Sequence, residues 1–501
     1  MKYYRPICAM LALVMIACSG VGCANIEAPV ETTAFLESTS AIPTTELPED
    51  TAKYDKDGFL MDELSDTLDF GGKSVTVLAW DGQSYEEFDT DSQNGETIND
   101  ALYNRNAMVE ERLGVSLEFI KTKGGSSDVD AYVIQVTNDV MAGSGEFDML
   151  AAYSRTIAMC AHSGLTEDLM KTPYIDLDKP WWPESLQSQS IINDKLYYCS
   201  GDLTMSLFHN LPVIYFNKTL AEQYSLTDDM LYKLVLDGKW TLAKMMELSV
   251  GSYKDLNGDG IRGDEDQYGY MGQTTQVQPL FWGCGMTAID VKDGQMSVSE
   301  NFTGEKMHNL LGTILSWLYE SGDARYSSKG NASFSDGRLL FFQNVASYTM
   351  TKFNEVPGLE FGILPCPKAD ETQENYSSIM GNTVTLYALP DNVDNPEMCG
   401  AVLECMSSEG YRKLSPAIYE TSMKVKYAPD ATTAMMYDLI RGSAFFDNGR
   451  IFSSVLGDLF TGTINNQLKN NSPDWMSAVA AIESQLNSKV SDINDVFAKM
   501  D

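Results

Sequence analysis

Basic residues are scarce in this chain. Its 501 residues include 35 Lys and Arg against 71 Asp and Glu, which gives a formal net charge of −36 at pH 7. A protein with this excess of negative charge repels phosphate backbones, so the composition argues against nucleic-acid binding. The excess would also hold the folded body away from an anionic membrane surface, and solubility alone is a sufficient reason for it.

Residues of hydrolytic and metal-dependent active sites are few. His162, His209 and His308 are the only histidines, and they do not stand in the H-x-x-x-H spacing of a zinc site. The sequence has no G-x-S-x-G nucleophile elbow, and its Gly-rich loops lack a Walker lysine. We therefore expect a protein that is not an enzyme. A surface glycoside hydrolase, which would need two carboxylates facing one cleft, is the alternative.

Apolar runs are short, and none reaches the roughly 18 to 20 residues that cross a bilayer. The run nearest the N-terminus follows Lys2 and Arg5 and precedes a small-residue segment that ends in Cys23. This order is typical of an export signal, and its final cysteine resembles that of bacterial lipoproteins. We predict a signal over 1–22 and acylation of Cys23, with Cys18 as the alternative site. An ordinary secretory peptide with incidental cysteines is the competing interpretation.

An acylated cysteine implies a protein attached by its lipid to the extracellular face of a bacterial cell membrane. Residues 23–60 that follow are rich in Thr, Ser, Pro and Glu and have few aromatics. Such a segment buries too little apolar surface to offset its chain entropy, so it is predicted to be a disordered tether.

Six further cysteines fit no disulfide scaffold, because their spacing is irregular and the sequence has no C-x-x-C pair. Both buried free thiols and disulfides are compatible with an exported protein, and the sequence leaves the two open. The six are Cys160, Cys199, Cys284, Cys366, Cys399 and Cys405.

Strand-like and helix-like patterns alternate from about Lys73 onward. Helices are predicted over about 98–113 and 128–141, where Gly114 and Gly143 end the apolar periodicity. This alternation with short joints predicts βαβ units and a mainly parallel sheet, followed by helices from about Pro396. The predicted strands are 75–80, 115–119, 147–153, 195–199, 212–216, 358–367 and 383–390.

One polar loop has the spacing of an EF-hand-type calcium site. Oxygen ligands stand at loop positions 1, 3 and 5, glycine at 6, a main-chain carbonyl at 7 and a carboxylate at 12. The aspartate at position 12 resembles the dockerin version of the loop, but a dockerin has two such loops and this chain has one. A metal-free Asx-rich turn is the alternative to a structural Ca²⁺ site. The predicted ligands are Asp255, Asn257, Asp259, Ile261 and Asp266.

Several short segments, in order along the chain, are similar to segments of the extracellular solute-binding proteins (family 1, sugar-type) of bacterial ABC importers. The resemblance covers roughly Lys73 to the C-terminus. The segments are YNRN at 103–106 followed by VEERLGV at 109–115, FDML at 147–150, KLYY at 195–198, IYFNK at 214–218, GKWT at 238–241 and FGILP at 361–365.

The resemblance implies a two-lobe α/β fold of the periplasmic-binding-protein type (type II), with a hinge of crossing strands and a ligand cleft between the lobes. It implies a monomeric substrate-binding lipoprotein that captures a carbohydrate, expected to be an oligosaccharide, and delivers it to ABC permease subunits. A non-transport carbohydrate-binding or adhesion protein is a further alternative. The lobes are assigned to 70–200 with 350–410 (lobe 1), and 201–349 with 411–501 (lobe 2).

Candidate ligand residues follow from where parallel strands end, since clefts of α/β proteins form beyond the carboxyl ends of their strands. Sugar sites stack aromatic rings on pyranose faces and use polar groups for the hydroxyls. For each aromatic residue, core packing is an equally good interpretation, and Trp181, Trp182 and Trp240 are assigned to packing. The candidates are Trp80, Asp81, Tyr153, Ser154, Gly201, Asp202, Trp282, Gly381 and Asn382.

Overall fold

The structure is a computed structural model in which residues 53–424 and 431–500 are described. All of them belong to the second of the two units into which the chain divides, Ser40–Asp501. The predicted signal over 1–22, its acylation sites Cys23 and Cys18, and most of the predicted tether lie outside the described residues. Within the described part, no helix is both long and apolar enough to cross a membrane.

Strands and helices alternate over the first half of the described chain, and helices dominate its end. The strands are β1 Lys73–Trp80, β2 Val115–Thr122, β3 Met149–Tyr153, β4 Pro212–Asn217, β5 Tyr268–Gly272, β6 Ile289–Lys292, β7 Gln295–Val298, β8 Ala324–Tyr326, β9 Leu339–Val345, β10 Phe361–Pro365, β11 Ser378–Ile379, β12 Thr385–Ala388 and β13 Ala444–Phe445. The helices before β10 are α1 Thr97–Leu113, α2 Val129–Ala142, α3 Ser154–His162, α4 Glu184–Ser190, α5 Ser206–His209, α6 Lys218–Gln223, α7 Asp228–Leu236, α8 Leu242–Ser249, α9 Thr274–Gly283, α10 Glu300–Thr303, α11 Glu305–Tyr319, α12 Gly330–Ser335 and α13 Tyr348–Thr351. The later helices are α14 Pro396–Glu409, α15 Ser415–Lys424, α16 Ala431–Gly442, α17 Asn448–Ile451, α18 Leu459–Lys469, α19 Trp475–Ala480 and α20 Glu483–Lys499.

The first sheet has the strand order β12-β3-β1-β2. β1 is parallel to both β2 and β3, while β12 is antiparallel to β3. Helix α1 ends at Leu113 because Gly114 adopts a left-handed φ of 60°, and β2 begins at the next residue. The glycine that the sequence analysis used as a stop therefore turns the chain directly back into the sheet.

The second sheet has the order β10-β4-β9-β5-β8 and is mixed. β4 is antiparallel to both of its neighbours, whereas β5 is parallel to both of its own. The prediction of a mainly parallel sheet therefore describes the first sheet better than the second. The predicted strand at 195–199 is reduced to isolated bridges, one of which pairs Cys199 with Tyr387.

The pairing of β10 corrects one lobe boundary drawn from the sequence. The range 350–410 was assigned to lobe 1, but Phe361–Pro365 pairs with β4 in the second sheet. The chain returns to the first sheet only at β12. Strand partners are chosen by contacts distant in sequence, so the apolar run of β10 carried no information about its sheet. The other predicted boundaries stay predictions.

Residues 53–60, assigned to the tether, are instead packed onto the first sheet's helices. The Phe59 ring meets Tyr411 edge-on at 5.7 Å. Two residues beyond this range, the Arg112 guanidinium donates to both carboxylate oxygens of Asp62, at 2.7 and 2.9 Å. The segment is ordered because the Phe59 ring packs on Tyr411 and the chain then leads into the Arg112–Asp62 ion pair. The average composition of the tether did not predict these two contacts.

All six cysteines of the folded region are buried and unpaired in the structure. Burial raises the pKa of the thiols, for example to about 12 for Cys160 and for Cys366. Of the two alternatives that the sequence left open, the structure has free thiols. A buried thiol with a raised pKa is a poor nucleophile, so these residues are packing groups.

A buried carboxylate joins two adjacent tryptophans on the first lobe. The indole nitrogens of Trp181 and Trp182 donate to the two oxygens of Glu404, at 3.2 and 3.0 Å. Burial raises the pKa of Glu404 to about 7, although the hydrogen bond from Trp182 acts in the opposite direction. Both tryptophans are core residues, as assigned from the sequence, and so is Trp240, which is 0% exposed.

Replacing Glu404 by glutamine should change how stability depends on pH. The folded carboxyl holds its proton up to about pH 7 whereas the unfolded one releases it near 4.5, so the folded state loses stability as pH rises through this window. Glutamine cannot ionise. Between pH 5 and pH 8, E404Q should therefore lose roughly 2 to 3 kcal/mol less free energy of unfolding than the wild type does, measured by urea unfolding. The exposed Glu111→Gln is the control, and equal pH slopes for E404Q and wild type would contradict the assignment.

Candidate functional site

Two segments, 199–211 and 380–387, carry the chain from one sheet to the other, and they run side by side. Cys199 and Tyr387 exchange both backbone hydrogen bonds at 2.8 Å. The hydroxyl of Ser200 donates to the Thr385 carbonyl at 2.8 Å. We call 199–211 and 380–387 the crossing segments.

The far end of the crossing segments is fixed by one asparagine. The Asn210 carbonyl accepts from the Gly381 backbone at 3.3 Å. Its side-chain amide donates to the Thr383 carbonyl at 3.1 Å and accepts from the Thr383 hydroxyl at 2.6 Å. The junction between the two sheets is therefore a bonded pair of strand-like segments with polar side chains between them.

The loop after β1 lies on the crossing segments. Gln83 donates to the Thr383 carbonyl at 2.7 Å. The Tyr85 ring meets the His209 imidazole edge-on at 4.2 Å. The Tyr85 hydroxyl and both ring nitrogens of His209 are buried without a hydrogen-bond partner. This side of the junction is thus lined by unused polar atoms.

Trp80 and Tyr153, predicted as ligand aromatics, lie together at the ends of β1 and β3. Their ring centroids are 5.7 Å apart. The Trp80 indole donates to the Thr385 hydroxyl at 3.0 Å, and a Cβ added at Gly82 would collide with the Trp80 ring. Trp80 is only 3% exposed, so in this arrangement its ring packs against protein. Asp81, the next residue, is exposed.

The predicted pairs Tyr153–Ser154 and Gly381–Asn382 meet at the junction. The backbone N–H and the hydroxyl of Ser154 both donate to the Asn382 carbonyl, at 3.3 and 2.9 Å. Gly381 and Asn382 are half-buried. The pair predicted from the end of β3 and the pair predicted on the returning segment are therefore in direct contact.

Gly201 and Asp202 lie in the first crossing segment, but the Asp202 carboxylate is fully used by the protein. Arg441 donates to both of its oxygens at 2.7 Å, and the Ser415 hydroxyl donates to one at 2.6 Å. Gly201 lies against the Trp181 carbonyl and the Trp182 ring. Asp202 thus ties a crossing segment to α15 and α16.

Trp282, the predicted second-lobe aromatic, is 0% exposed at the end of α9. Its indole donates to Asp447 at 2.9 Å, and the Arg450 guanidinium carbon lies 5.3 Å from its ring centroid. Arg450 also donates to the Gln278 side-chain oxygen at 3.1 Å. The Arg450 guanidinium therefore lies over the Trp282 ring, on which a sugar would have to stack.

Arg450 connects the predicted aromatics of the two lobes. Burial lowers its pKa, Tyr153 and Asp447 are near enough to raise it again, and Arg155 lowers it further. Tyr153 packs against Trp80, Arg450 lies over the Trp282 ring, and Arg155, two residues after Tyr153, donates to Ser454, four residues after Arg450. We call Trp80, Tyr153, Arg155, Arg450 and Trp282 the junction row. The candidate site is this row together with the polar residues of the crossing segments.

Sequence reasoning missed both arginines of this row. Arg155 directly follows the predicted pair Tyr153–Ser154, so extending the strand-end rule by one residue would have found it. Arg450 lies on α17, a four-residue helix after β13. Nothing in the local pattern of α17 points to a cleft.

The predicted calcium loop is exposed at four of its five ligand positions, while Asp266 is 0% exposed. Its carboxylates accept backbone N–H groups of the loop: Asp255 from Gly258 at 2.7 Å, and Asp266 from Gly263 at 2.9 Å. Among the described residues, no three His, Cys, Asp or Glu side chains are gathered as a metal site. A calcium site here would also need the Asn257 side chain and the Ile261 carbonyl. All of these ligand atoms are oxygens, which Ca²⁺ prefers, but they would have to move closer together to bind the ion.

A shallow groove of about 750 Å³ lies on the second lobe between α8 and α11. Met246, Val250 and Trp317 line it, and none of the predicted ligand residues does. It is therefore separate from the junction.

Comparison with known proteins finds no family model and no curated protein that matches the sequence. Solved structures with the same fold include a cyclo/maltodextrin-binding protein complexed with maltotetraose, at 14% identity, covering 86% of this chain and 98% of that chain with a TM-score of 0.52. The chain is also similar to the cyclic alpha-maltosyl-1,6-maltose binding protein from Arthrobacter globiformis, at 16% identity, 84% and 100% coverage and a TM-score of 0.55. UgpB from Mycobacterium tuberculosis, in complex with glycerophosphocholine, is similar at 13% identity, 84% and 99% coverage and a TM-score of 0.52. The predicted two-lobe, periplasmic-binding-protein-like fold is confirmed, and the first two of these structures are named as binding proteins.

Replacing His209 should make the protein more tolerant of acid. Burial lowers the pKa of His209 to about 4 from an ordinary 6.5, so the unfolded state binds a proton that the folded state refuses, and stability falls as pH drops through this window. His209→Phe cannot titrate and leaves no unpaired ring nitrogen. Between pH 7 and pH 5 it should lose about 2 kcal/mol less free energy of unfolding than the wild type. Urea unfolding at both pH values measures this, with His308→Gln as the control, and parallel wild-type and H209F profiles would contradict it.

Proposed function

We propose that the protein captures an extracellular carbohydrate between its two lobes and delivers it to an ABC permease. The observation that carries the proposal is the two-lobe fold with paired crossing segments, where Trp80 packs on Tyr153 and Arg450 on Trp282. Solved structures of this fold are named for maltotetraose, mannotriose and cyclic maltosyl-maltose ligands. An oligosaccharide is therefore the ligand class best supported.

Binding would work through a change in the angle between the lobes. The crossing segments are narrow and bonded to each other, so they can flex as a hinge while each sheet stays rigid. A ligand that touches both lobes favours the closed form by its contacts to the second lobe, and the permease would recognise that form. Thr383, which is exposed, and half-buried Gln83 and Asn382 are placed to meet hydroxyl groups. No bond of the ligand is made or broken.

A glycoside hydrolase is the weaker alternative. It needs two carboxylates free toward one cleft. Among the described residues, Glu87 and Asp202 are carboxylates buried beside the crossing segments: Glu87 is 3% exposed and accepts from the Thr204 hydroxyl, and Asp202 is paired with Arg441. An adhesion role rests on the single dockerin-like loop alone.

The anchor and the partners belong to the same proposal. Acylation at Cys23, or at Cys18, would place palmitate at the start of the tether and hold a monomer at the outer face of the cell membrane. The permease subunits would then meet a ligand-loaded protein that is confined to their own surface. The lipid modification is tested directly by the mass of the N-terminal peptide.

Calcium binding by the loop is proposed as a structural feature of the second lobe. The Arg325 side chain already fastens this loop through Asp264 at 2.7 Å. A bound Ca²⁺ would hold the loop at a second point, because it would draw the carboxylates of Asp255, Asp259 and Asp266 together. Its role would be stability and would leave the junction untouched.

A sugar screen tests the proposed function. The full chain is heated with neutral and acidic oligosaccharides, amino acids and peptides, and a sugar that binds the folded state should raise Tm by a few degrees at 100-fold excess over its Kd. Gln83→Ala and Thr383→Ala at the junction should shrink this rise, whereas the exposed Thr372→Ala should not. Shifts with amino acids but with no sugar would end the carbohydrate assignment. New reducing ends in the mixture would end the binding-only assignment.

Chelation tests the calcium loop. At about 5 mM Ca²⁺, above the roughly 10⁻⁴ to 10⁻³ M constants of extracellular calcium modules, Tm should exceed that in EGTA. Asp259→Ala should abolish the difference while leaving the EGTA value close to wild type, because Asp259 is exposed. Asp336→Ala, also an exposed acidic substitution, should keep the full difference. Identical Tm values for the wild type in Ca²⁺ and EGTA would rule out the site.

A further inference from the structure

Two arginines converge at the junction of a strongly acidic chain. Arg155 stands in the first turn of α3 on the first lobe, and Arg450 stands on α17 beside Trp282. The Arg155 guanidinium donates to the hydroxyl of Ser454, four residues after Arg450, at 2.9 Å, and α3 packs on α17, so the two arginines belong to neighbouring helices. In a protein of net charge −36, two cations facing each other need a reason.

Arg450 has no matching carboxylate among the described residues. No Asp or Glu of the described chain lies within ion-pair distance of it, and its hydrogen-bonded partner Gln278 is neutral. Its Nε is buried and has no hydrogen-bond partner. The side chain as a whole is half-buried, so solvent and a ligand can still reach part of it.

Asp447 acts on Arg450 only through space and forms no ion pair with it, because the Asp447 oxygens are hydrogen-bonded to other groups. Asp447 accepts from the Trp282 indole and from the backbone N–H groups of Ala288, Ile289 and Gly449, at 2.6 to 3.3 Å. These four donors leave its lone pairs used by neutral groups. A guanidinium that is largely removed from water and bonded only to an amide and a ring is costly unless an anion joins it.

Arg155 is only weakly neutralised. It donates to the Ser454 hydroxyl at 2.9 Å and pairs with Asp458 at 2.9 Å. Asp458 is 52% exposed, so water screens the pair and the attraction is modest. A better-placed anion in the junction would compete with Asp458 for the same guanidinium.

We propose that the ligand is an acidic oligosaccharide whose anionic group, a carboxylate or a sulfate, binds between Arg450 and Arg155. This inference rests on the proposed function and specifies its substrate class. The planar guanidinium fork matches a carboxylate or sulfate in two parallel hydrogen bonds, and Trp282 holds the Arg450 plane in place. The sugar ring carrying the acid would lie toward Tyr153, where neutral hydroxyls meet Asn382 and Thr383.

Neutral sugars would be discriminated against at this position. A neutral ring would displace the water around Arg450 without supplying an anion, which leaves the charge less well solvated than before binding. Sites built around a specific polar partner reject analogues that lack it by large factors. An acidic trisaccharide is therefore expected to bind at least tenfold more tightly than a neutral one of the same length.

Isothermal titration of the full chain tests this directly. The probes are trigalacturonate, a chondroitin sulfate tetrasaccharide, maltotriose and mannotriose, which separate carboxylate from sulfate and acid from neutral. Arg450→Gln and Arg155→Gln should each weaken binding of the preferred acidic sugar at least tenfold, which brings its affinity close to that of the neutral trisaccharides. Arg450→Lys, which keeps the charge without the fork, should lose part of the affinity and serves as the variant that preserves folding. Arg262→Gln, an exposed arginine of the calcium loop, is the matched control.

The outcomes separate this inference from the function on which it rests. Neutral sugars that bind as tightly as both acidic probes would overturn the acidic-ligand proposal and leave carbohydrate capture standing. Tight acidic binding that survives in folded R450Q and R155Q would also overturn it, because the anion would then lie elsewhere. Failure of all sugars to bind, with a response to another solute class, would instead remove the proposed function.

Discussion

The pairing of the two crossing segments is the constraint on which the rest of the molecule depends. Asn210 and Thr383 bond to each other through side chain and backbone, so the segments cannot slide. Ser154, at the start of α3, is bonded to the neighbouring carbonyl of Asn382, which fixes the first sheet to the same strip. The side chains at the junction are therefore positioned by the two paired crossing segments. Two segments bonded in this way cannot slide past each other, but they can bend together, as a hinge between two rigid sheets must.

Two of the buried titratable groups, Glu404 and His209, contribute to the acid response of this framework in opposite senses. Glu404 favours the folded state at low pH because its proton is retained inside the protein. His209 disfavours the folded state at low pH because burial refuses a proton. Their windows overlap between about pH 4 and 7, so the two contributions largely cancel in the intact chain.

The sequence allowed prediction of those features that are local. Apolar periodicity and the stop at Gly114 gave α1 and β2, and the end of a strand pointed to Tyr153–Ser154, which the structure places against Asn382 of the returning segment. It did not reveal which sheet β10 joins, because partner choice among strands depends on contacts distant in the chain. The aromatic predictions show the same limit: Trp282 is covered by Arg450, which lies far along the sequence on a short helix without periodicity. Whether a ring faces a ligand or the protein is decided by such distant neighbours.

The position of Arg155 suggests how a ligand would be coupled to the angle between the lobes. In the present arrangement this first-lobe side chain reaches across to Ser454 and Asp458, next to helices that pack on the second lobe. His162 makes a second contact of this kind, to Asp492 on α20. Both acids are largely exposed, so these links are individually weak and can be exchanged. A ligand anion that draws Arg155 toward Arg450 would replace a screened pair by a desolvated one. The gain would exist only when both lobes contribute their arginine, which is the differential contact that a closing movement requires.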